Sequence, residues 1–137
     1  MADHSTHPTQ NAHHATEPID AERKKGAAEL LVLSLLDERS RHGYELAQLI
    51  EQRSRGALTF HVSSLYTLLY RLERRKLVRG RWVEKPGERR RRFYELTAAG
   101  VKALAEEERQ WRALVAAVER VADLSISSVL AGEPGRA

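Results

Sequence analysis

Residues 62–96 read VSSLYTLLYRLERRKLVRGRWVEKPGERRRRFYEL, and the period of the apolar positions changes partway along. Val62, Leu65, Leu68, Leu69 and Leu72 recur at intervals of three and four, which puts them on one face of an α-helix. After Lys76 the interval drops to two. Val78, Gly80 and Trp82 alternate with Arg79, Arg81 and Val83, as in a strand. Lys85-Pro86-Gly87-Glu88 then fits a type II turn, because proline presets the first central position and glycine accepts positive φ at the second. Arg91 to Leu96 returns as the second strand, with Tyr94 and Leu96 on one face. A helix running into a two-stranded hairpin is therefore the centre of the fold.

Charge is concentrated in the same place. From Arg71 to Arg92 there are 11 basic residues and three acidic ones, Glu73, Glu84 and Glu88, a net +8 in 22 positions. The 137-residue chain carries +4 in all, so everything outside that window sums to −4. An acidic body with one basic segment points to a polyanionic surface, since diffuse basicity would serve solubility alone. The helix face opposite the leucines carries Ser63, Ser64, Tyr66, Thr67, Tyr70, Arg71 and Arg74, hydroxyls and guanidiniums suited to phosphates and base edges. Lys85, Arg89, Arg90, Arg91 and Arg92 belong to the hairpin's tip and arms. Four consecutive arginines on a strand would point alternately to its two faces.

Upstream, residues 1–19 hold four of the six histidines, two prolines and no Lys or Arg, the composition of a disordered tail. The spacing of His4, His7, His13 and His14 matches no metal site. Asp20 can cap a helix that Gly26 interrupts. Beyond it, Ala27 to Glu38 places Leu30, Leu31, Leu33, Leu35 and Leu36 within seven positions, too apolar for anything but a buried helix. Gly43 supplies a tight bend before a third stretch, Tyr44 to Arg53, with Leu46, Ala47, Leu49 and Ile50 on one side. His42, Gly43, Tyr44 and Glu45 read as structural, with Tyr44 packing or touching a phosphate, and His61 as a satisfied polar residue at a helix start.

Downstream, Thr97 is a candidate N-cap for a helix from about residue 98 to about residue 124. Leu104, Trp111, Leu114, Val115, Val118, Val121 and Ala122 form one apolar stripe along it. Such a helix spans about 40 Å, more than a small body covers. An uncovered stripe implies a partner, most simply another copy of the chain. Glu106, Glu107 and Glu108 are consecutive, so they point around the helix rather than at one another. The chain thus divides into a tail (1–19), a domain (20–97), a dimerisation helix (98–124) and a loose end (125–137).

Several function classes fall away. There is no cysteine, so no disulfide, thiolate nucleophile or cysteine metal site is available. No apolar run approaches the roughly 18 residues that cross a bilayer, and no signal-peptide pattern opens the chain, so a cytoplasmic location is expected. A Gly-rich phosphate loop, an HExxH pair and paired catalytic groups are all missing, so neither enzymatic activity nor a cofactor or metal is expected.

Four stretches bring a known family into view: Leu30 to Asp37 (LLVLSLLD), His42 to Leu46 (HGYEL), Ser64 to Glu73 (SLYTLLYRLE) and Arg91 to Gly100 (RRFYELTAAG). Together they resemble the PadR family of winged helix-turn-helix transcriptional regulators, in its compact form, over roughly residues 25 to 115. HGYEL followed some twenty residues later by LYxxLxRLE is the specific part. The chain departs from the family where Ser-Pro-Gly often precedes the recognition helix, since His61, Val62 and Ser63 stand there, and Thr67 occupies a frequent proline position.

The resemblance implies a mainly α fold with a small β-hairpin, a winged helix-turn-helix followed by a long C-terminal dimerisation helix. It also implies a homodimer, acting most simply as a repressor, on double-stranded palindromic DNA with half-sites about 34 to 36 Å apart. Tyr66 matches a tyrosine that the family presents to the DNA backbone. Trp111 matches a tryptophan that, in some members, lines a pocket for flat aromatic effectors at the dimer interface. The competing reading is a winged-helix module that binds a protein partner and uses its basic hairpin on acidic surfaces. Structured RNA fits the charge but not the stacking aromatics expected on a sheet.

Overall fold

The computed structural model describes Ile19 and residues 21–124, of which 21–25 are described by backbone alone. The expected tail to residue 18, the Asp20 cap and residues 125–137 lie outside the described residues. Among those described, the order is α1 (Ala21–Glu38), β1 (Arg41–His42), α2 (Gly43–Arg53), α3 (Val62–Arg74), β2 (Val78–Val83), β3 (Arg91–Leu96) and α4 (Ala98–Ala122). This is a winged helix-turn-helix: α2 and α3 form the two-helix unit, β2 and β3 the wing, and α4 trails behind.

The wing pairs antiparallel from Val78 opposite Leu96 to Val83 opposite Arg91. At its tip the Glu88 N–H donates to the Lys85 carbonyl at 3.0 Å and Gly87 has φ +77, the type II turn that Pro-Gly implied. A third strand was not legible. β1 pairs through Arg41 with Tyr94 and His42 with Phe93, making the sheet order β1-β3-β2. Two residues between helices carry no alternation to read. The second strand is Arg91–Leu96, as read, so Arg89 and Arg90 precede it and the alternation expected of four consecutive arginines holds only for Arg91 and Arg92.

The core is built from the apolar faces of all four helices and closed by the wing. Val32, Leu33 and Leu36 of α1, Leu46 and Ile50 of α2, and Leu65, Leu69 and Leu72 of α3 pack with Val78 and Tyr94. Each fully buried leucine contributes about 2 kcal/mol of apolar transfer. Gly26 does not interrupt α1, which runs unbroken through it. A glycine inside a helix costs about 1 kcal/mol relative to alanine but keeps its N–H, and the leucines downstream anchor the helix.

Two helix ends show how the chain turns toward the site. After α3, Lys76 takes φ +63, its N–H donates to the Glu73 carbonyl and the Leu77 N–H to the Leu72 carbonyl, both at 2.9 Å. That is a Schellman stop with lysine where glycine is usual, and it aims β2 back along α3. At the start of α4 the Thr97 hydroxyl accepts from the Gly100 N–H at 3.0 Å, as expected of an N-cap, and donates to the Lys76 carbonyl at 2.8 Å. Gly100 is needed there: a Cβ would lie 2.1 Å from the Leu77 carbonyl oxygen.

Arg41, which no sequence pattern singled out, is buried at 5% exposure. Its guanidinium donates to the Leu35 carbonyl at 3.0 Å, to Glu38 at 2.6 Å and to Glu45 at 3.0 Å. One side chain thus satisfies the C-terminal end of α1 and fastens it to the start of α2. Glu38 also receives both Arg53 nitrogens, at 2.8 and 3.0 Å, and Arg53 foremost, with Arg41, holds its carboxyl below the ordinary range.

Candidate nucleic-acid interface

Because the α3 leucines face inward, the residues between them must face out. Ser63, Ser64, Tyr66, Thr67, Tyr70, Arg71 and Arg74 are all exposed. Within this face, the Thr67 hydroxyl donates to the Ser63 carbonyl at 3.1 Å, and the Arg74 guanidinium lies 5.8 Å from the Tyr70 ring centre. Arg71 has no acidic partner within ion-pair distance among the described residues.

Beside α3 and under the wing runs an open groove of about 740 Å³, lined by Tyr44, Val62, Tyr66, Trp82, Tyr94 and Arg89 through Arg92. No acidic side chain lines it. The groove's floor is shaped by Gly43, where a Cβ would stand 2.6 Å from the Tyr66 ring. A side chain at Gly43 would have to displace the Tyr66 ring, and the backbone there is not in the left-handed region that a glycine bend would use. Tyr66 spans both roles, its ring against Gly43 and 37% of its surface open.

The wing arginines separate into two kinds. Arg92 turns inward: its guanidinium is 2.8 Å from the Glu73 carboxylate of α3, over Gly80, and near the Trp82 and Tyr94 rings at 5.7 and 5.6 Å. It braces the wing on α3 rather than standing ready for a phosphate. Arg90 turns outward, stacked on Trp82 at 4.5 Å, and among the described residues its acidic partner is the exposed Glu84, 3.5 Å away. Arg89, Arg91 and Lys85 have no ion-pair partner among the described residues. They share a second, smaller hollow on the wing's other side with His42, Val83, Glu88 and Phe93.

Tyr94 is buried at 5% exposure. Burial pushes its phenol above the ordinary range, against the lowering influence of Arg92. His42 is the N-cap of α2, its Nδ1 accepting from the Glu45 N–H at 3.2 Å. Burial, and next the Arg91 charge, lower its pKa. The structural role read for it is therefore a specific one.

Along α4 the apolar stripe divides. Leu104, expected on a partner-facing seam, packs into the core of its own chain at 5% exposure, because α4 begins close against Leu77 and Leu96. Beyond it the stripe leaves the body. Trp111 and Val115 are half-buried, and Leu114, Val118 and Val121 are 52%, 38% and 88% exposed. On the polar side, Arg109 first, then Gln110, hold the Glu106 carboxyl down to about 2. Among the described residues, no helix is long and apolar enough to cross a membrane, and no cluster of His, Cys, Asp or Glu could hold a metal.

The chain matches the profile of the family described as "Transcriptional regulator PadR-like family" over residues 32–106. This chain belongs to that family. The match runs from the C-terminal part of α1 to the first part of α4 and includes the whole α3–wing surface. A PadR family regulator from Eggerthella lenta is 30% identical, covering 76% of this chain and 88% of its own, with a TM-score of 0.66. A transcriptional regulator from Clostridium thermocellum shares the fold at 24% identity, over 74% of this chain and 96% of its own, with a TM-score of 0.68. A Bacillus subtilis PadR, solved with operator DNA, shares it at 19% identity over 57% of this chain and 44% of its own, with a TM-score of 0.53. The family is one of transcriptional regulators.

Of the residues that sequence singled out, the structure gathers the α3 set and the hairpin set on adjoining surfaces. Trp82 was missed as lining of the shared groove, whereas Tyr44, read as packing or touching a phosphate, does lie on it. Trp82 read only as one position of an alternating strand, and the signal that marked it was Gly80 two residues earlier, opening the space that Arg92 fills.

Proposed function

We propose that this PadR-like regulator binds double-stranded DNA in a sequence-specific manner, as a homodimeric repressor on a palindromic operator. The observation that carries this reading is the exposed hydroxyl and guanidinium face of α3, continuous with a groove lined by four arginines and no acid. A helix of that face fits the major groove, and the wing's cations then fall on flanking phosphates. The operator complex of the Bacillus subtilis relative supports the assignment.

The exposed half of α4 supports the dimer, with Trp111, Leu114, Val115, Val118 and Val121 as its seam. Two copies joined there would present two α3 helices to half-sites about 34 to 36 Å apart. Repression by occupancy needs only these two surfaces. A flat aromatic effector, if one acts, would lodge beside Trp111, and its binding would change Trp111 emission in a Trp82→Phe background.

Hydroxyl-radical footprinting on the DNA upstream of the protein's own gene tests the reading. Two protected patches, about one helical turn apart and related by a dyad, are expected. Protection without dyad symmetry would contradict the dimer, and no protection at low salt would contradict DNA binding there.

A further inference from the structure

We propose that Trp82 is a positioning residue: its indole holds Arg90 flat and extended so that the wing delivers that cation to DNA already ordered. The inference rests on the DNA-binding reading and adds a part to it. A column of contacts runs from the α3 helix outward. Glu73 accepts from the Gly80 N–H at 3.3 Å and from Arg92 at 2.8 Å. Arg92 sits against one part of the indole at 5.7 Å, and Arg90 lies on it at 4.5 Å. Gly80 admits the Arg92 guanidinium, since a Cβ there would come within 2.7 Å of Nε.

The two arginines therefore do different work. Arg92 is neutralised by Glu73 and fixes the indole. Arg90 has a carboxylate neighbour, Glu84, that is itself 73% exposed, so its charge remains available to a phosphate. An unsupported arginine gives up much rotamer freedom when it binds. A guanidinium stacked on a ring has given it up beforehand and keeps its N–H edge free. Trp82 is half open itself, at 52% exposure, which leaves room for a strand of DNA beside the stack. The wing's reach is thereby tied to α3, through Glu73, rather than left to a mobile tip.

The experiment measures affinity for the operator duplex and its salt dependence with Trp82→Leu, Trp82→Phe, Arg90→Lys and Arg90→Ala. Loss of the stack with the charge kept, as in Trp82→Leu and Arg90→Lys, is expected to weaken binding roughly five- to tenfold with the salt slope unchanged. Trp82→Phe should restore most of that loss. Arg90→Ala should lower the slope by about one contact per protomer, and adding Trp82→Leu to it should cost nothing more. In a Trp111→Phe background, Trp82 emission should change when the duplex is added, a readout that needs no Trp82 substitution. If wild type binds but Arg90→Lys and Trp82→Leu stay within about twofold of it, or if Trp82→Leu adds to Arg90→Ala in full, the positioning role is overturned and DNA binding stands. Failure of wild type to bind the duplex at low salt overturns both.

Discussion

The α3–wing surface and the distal half of α4 are both left open by the protomer, yet they are chemically opposite. One is hydroxyl and guanidinium, with Arg92 braced by Glu73, Arg90 held on Trp82, and Arg71, Lys85, Arg89 and Arg91 without an ion-pair partner among the described residues. The other is Leu114, Val118 and Val121 with no polar group among them. The first suits a polyanion, and its affinity must fall as salt rises, because bound counterions are released. The second suits an apolar surface and must be governed by concentration, with little response to salt. On the proposed reading, the DNA and a second copy of the chain would meet opposite ends of the chain's charge pattern.

The strongest way to break that division is to put a charge on the apolar side. Val118→Glu should raise the dimer dissociation constant on the order of a thousandfold, the cost of an unpaired charge in a closed seam. Sedimentation equilibrium would show it, with helix content by circular dichroism unchanged. A dimer that survives would place the seam elsewhere. Arg41→Ala tests the frame behind both surfaces. It leaves the Leu35 carbonyl, Glu38 and Glu45 without their shared donor, and should cost about 3 kcal/mol in urea unfolding. A cost below about 1 kcal/mol would mean that the α1–α2 junction is held by packing alone.

Smaller effects sharpen the picture around α3. Lys76→Gly relieves a left-handed backbone position and should raise stability by at most about 1 kcal/mol in thermal unfolding, unless the Lys76 side chain matters more than its φ. The last prediction concerns pH. His42 caps α2 through an unprotonated Nδ1, and its pKa lies below the ordinary 6.5. The unfolded chain therefore takes up the proton first, so stability falls as pH drops through 6.5 toward the folded value. His42→Asn keeps a capping acceptor that does not titrate, and its stability should be flatter between pH 7.5 and pH 5.5, roughly the window in which histidine titrates. Equal slopes would remove His42 as the source.

What could be read from sequence was what periodicity and local chemistry encode. The leucines of α3, the alternation of β2, the Pro-Gly turn and the Thr97 cap each depend on neighbours in the chain. What could not be read depends on which residue stands opposite. Arg90 and Arg92 are indistinguishable as letters; only the position of Glu73 across the wing turns one inward and leaves the other out. Leu104 and Leu114 share one stripe, and the period identifies the face but not where the body beneath it ends. Arg41 and β1 were missed for the same reason, since two residues between helices gain their roles from Tyr94, Leu35 and Glu45. Gly26 misled because a glycine weakens a helix without forbidding it.

The division of labour between the two surfaces is tested most directly by fluorescence anisotropy of the duplex upstream of the protein's own gene and of a scrambled duplex, titrated across a salt series. The account predicts preference for the native duplex by a factor of about a thousand or more, with affinity falling on the order of a thousandfold between about 50 and 200 mM salt if the dimer neutralises about six phosphates. Absence of binding to either duplex at low salt would contradict it.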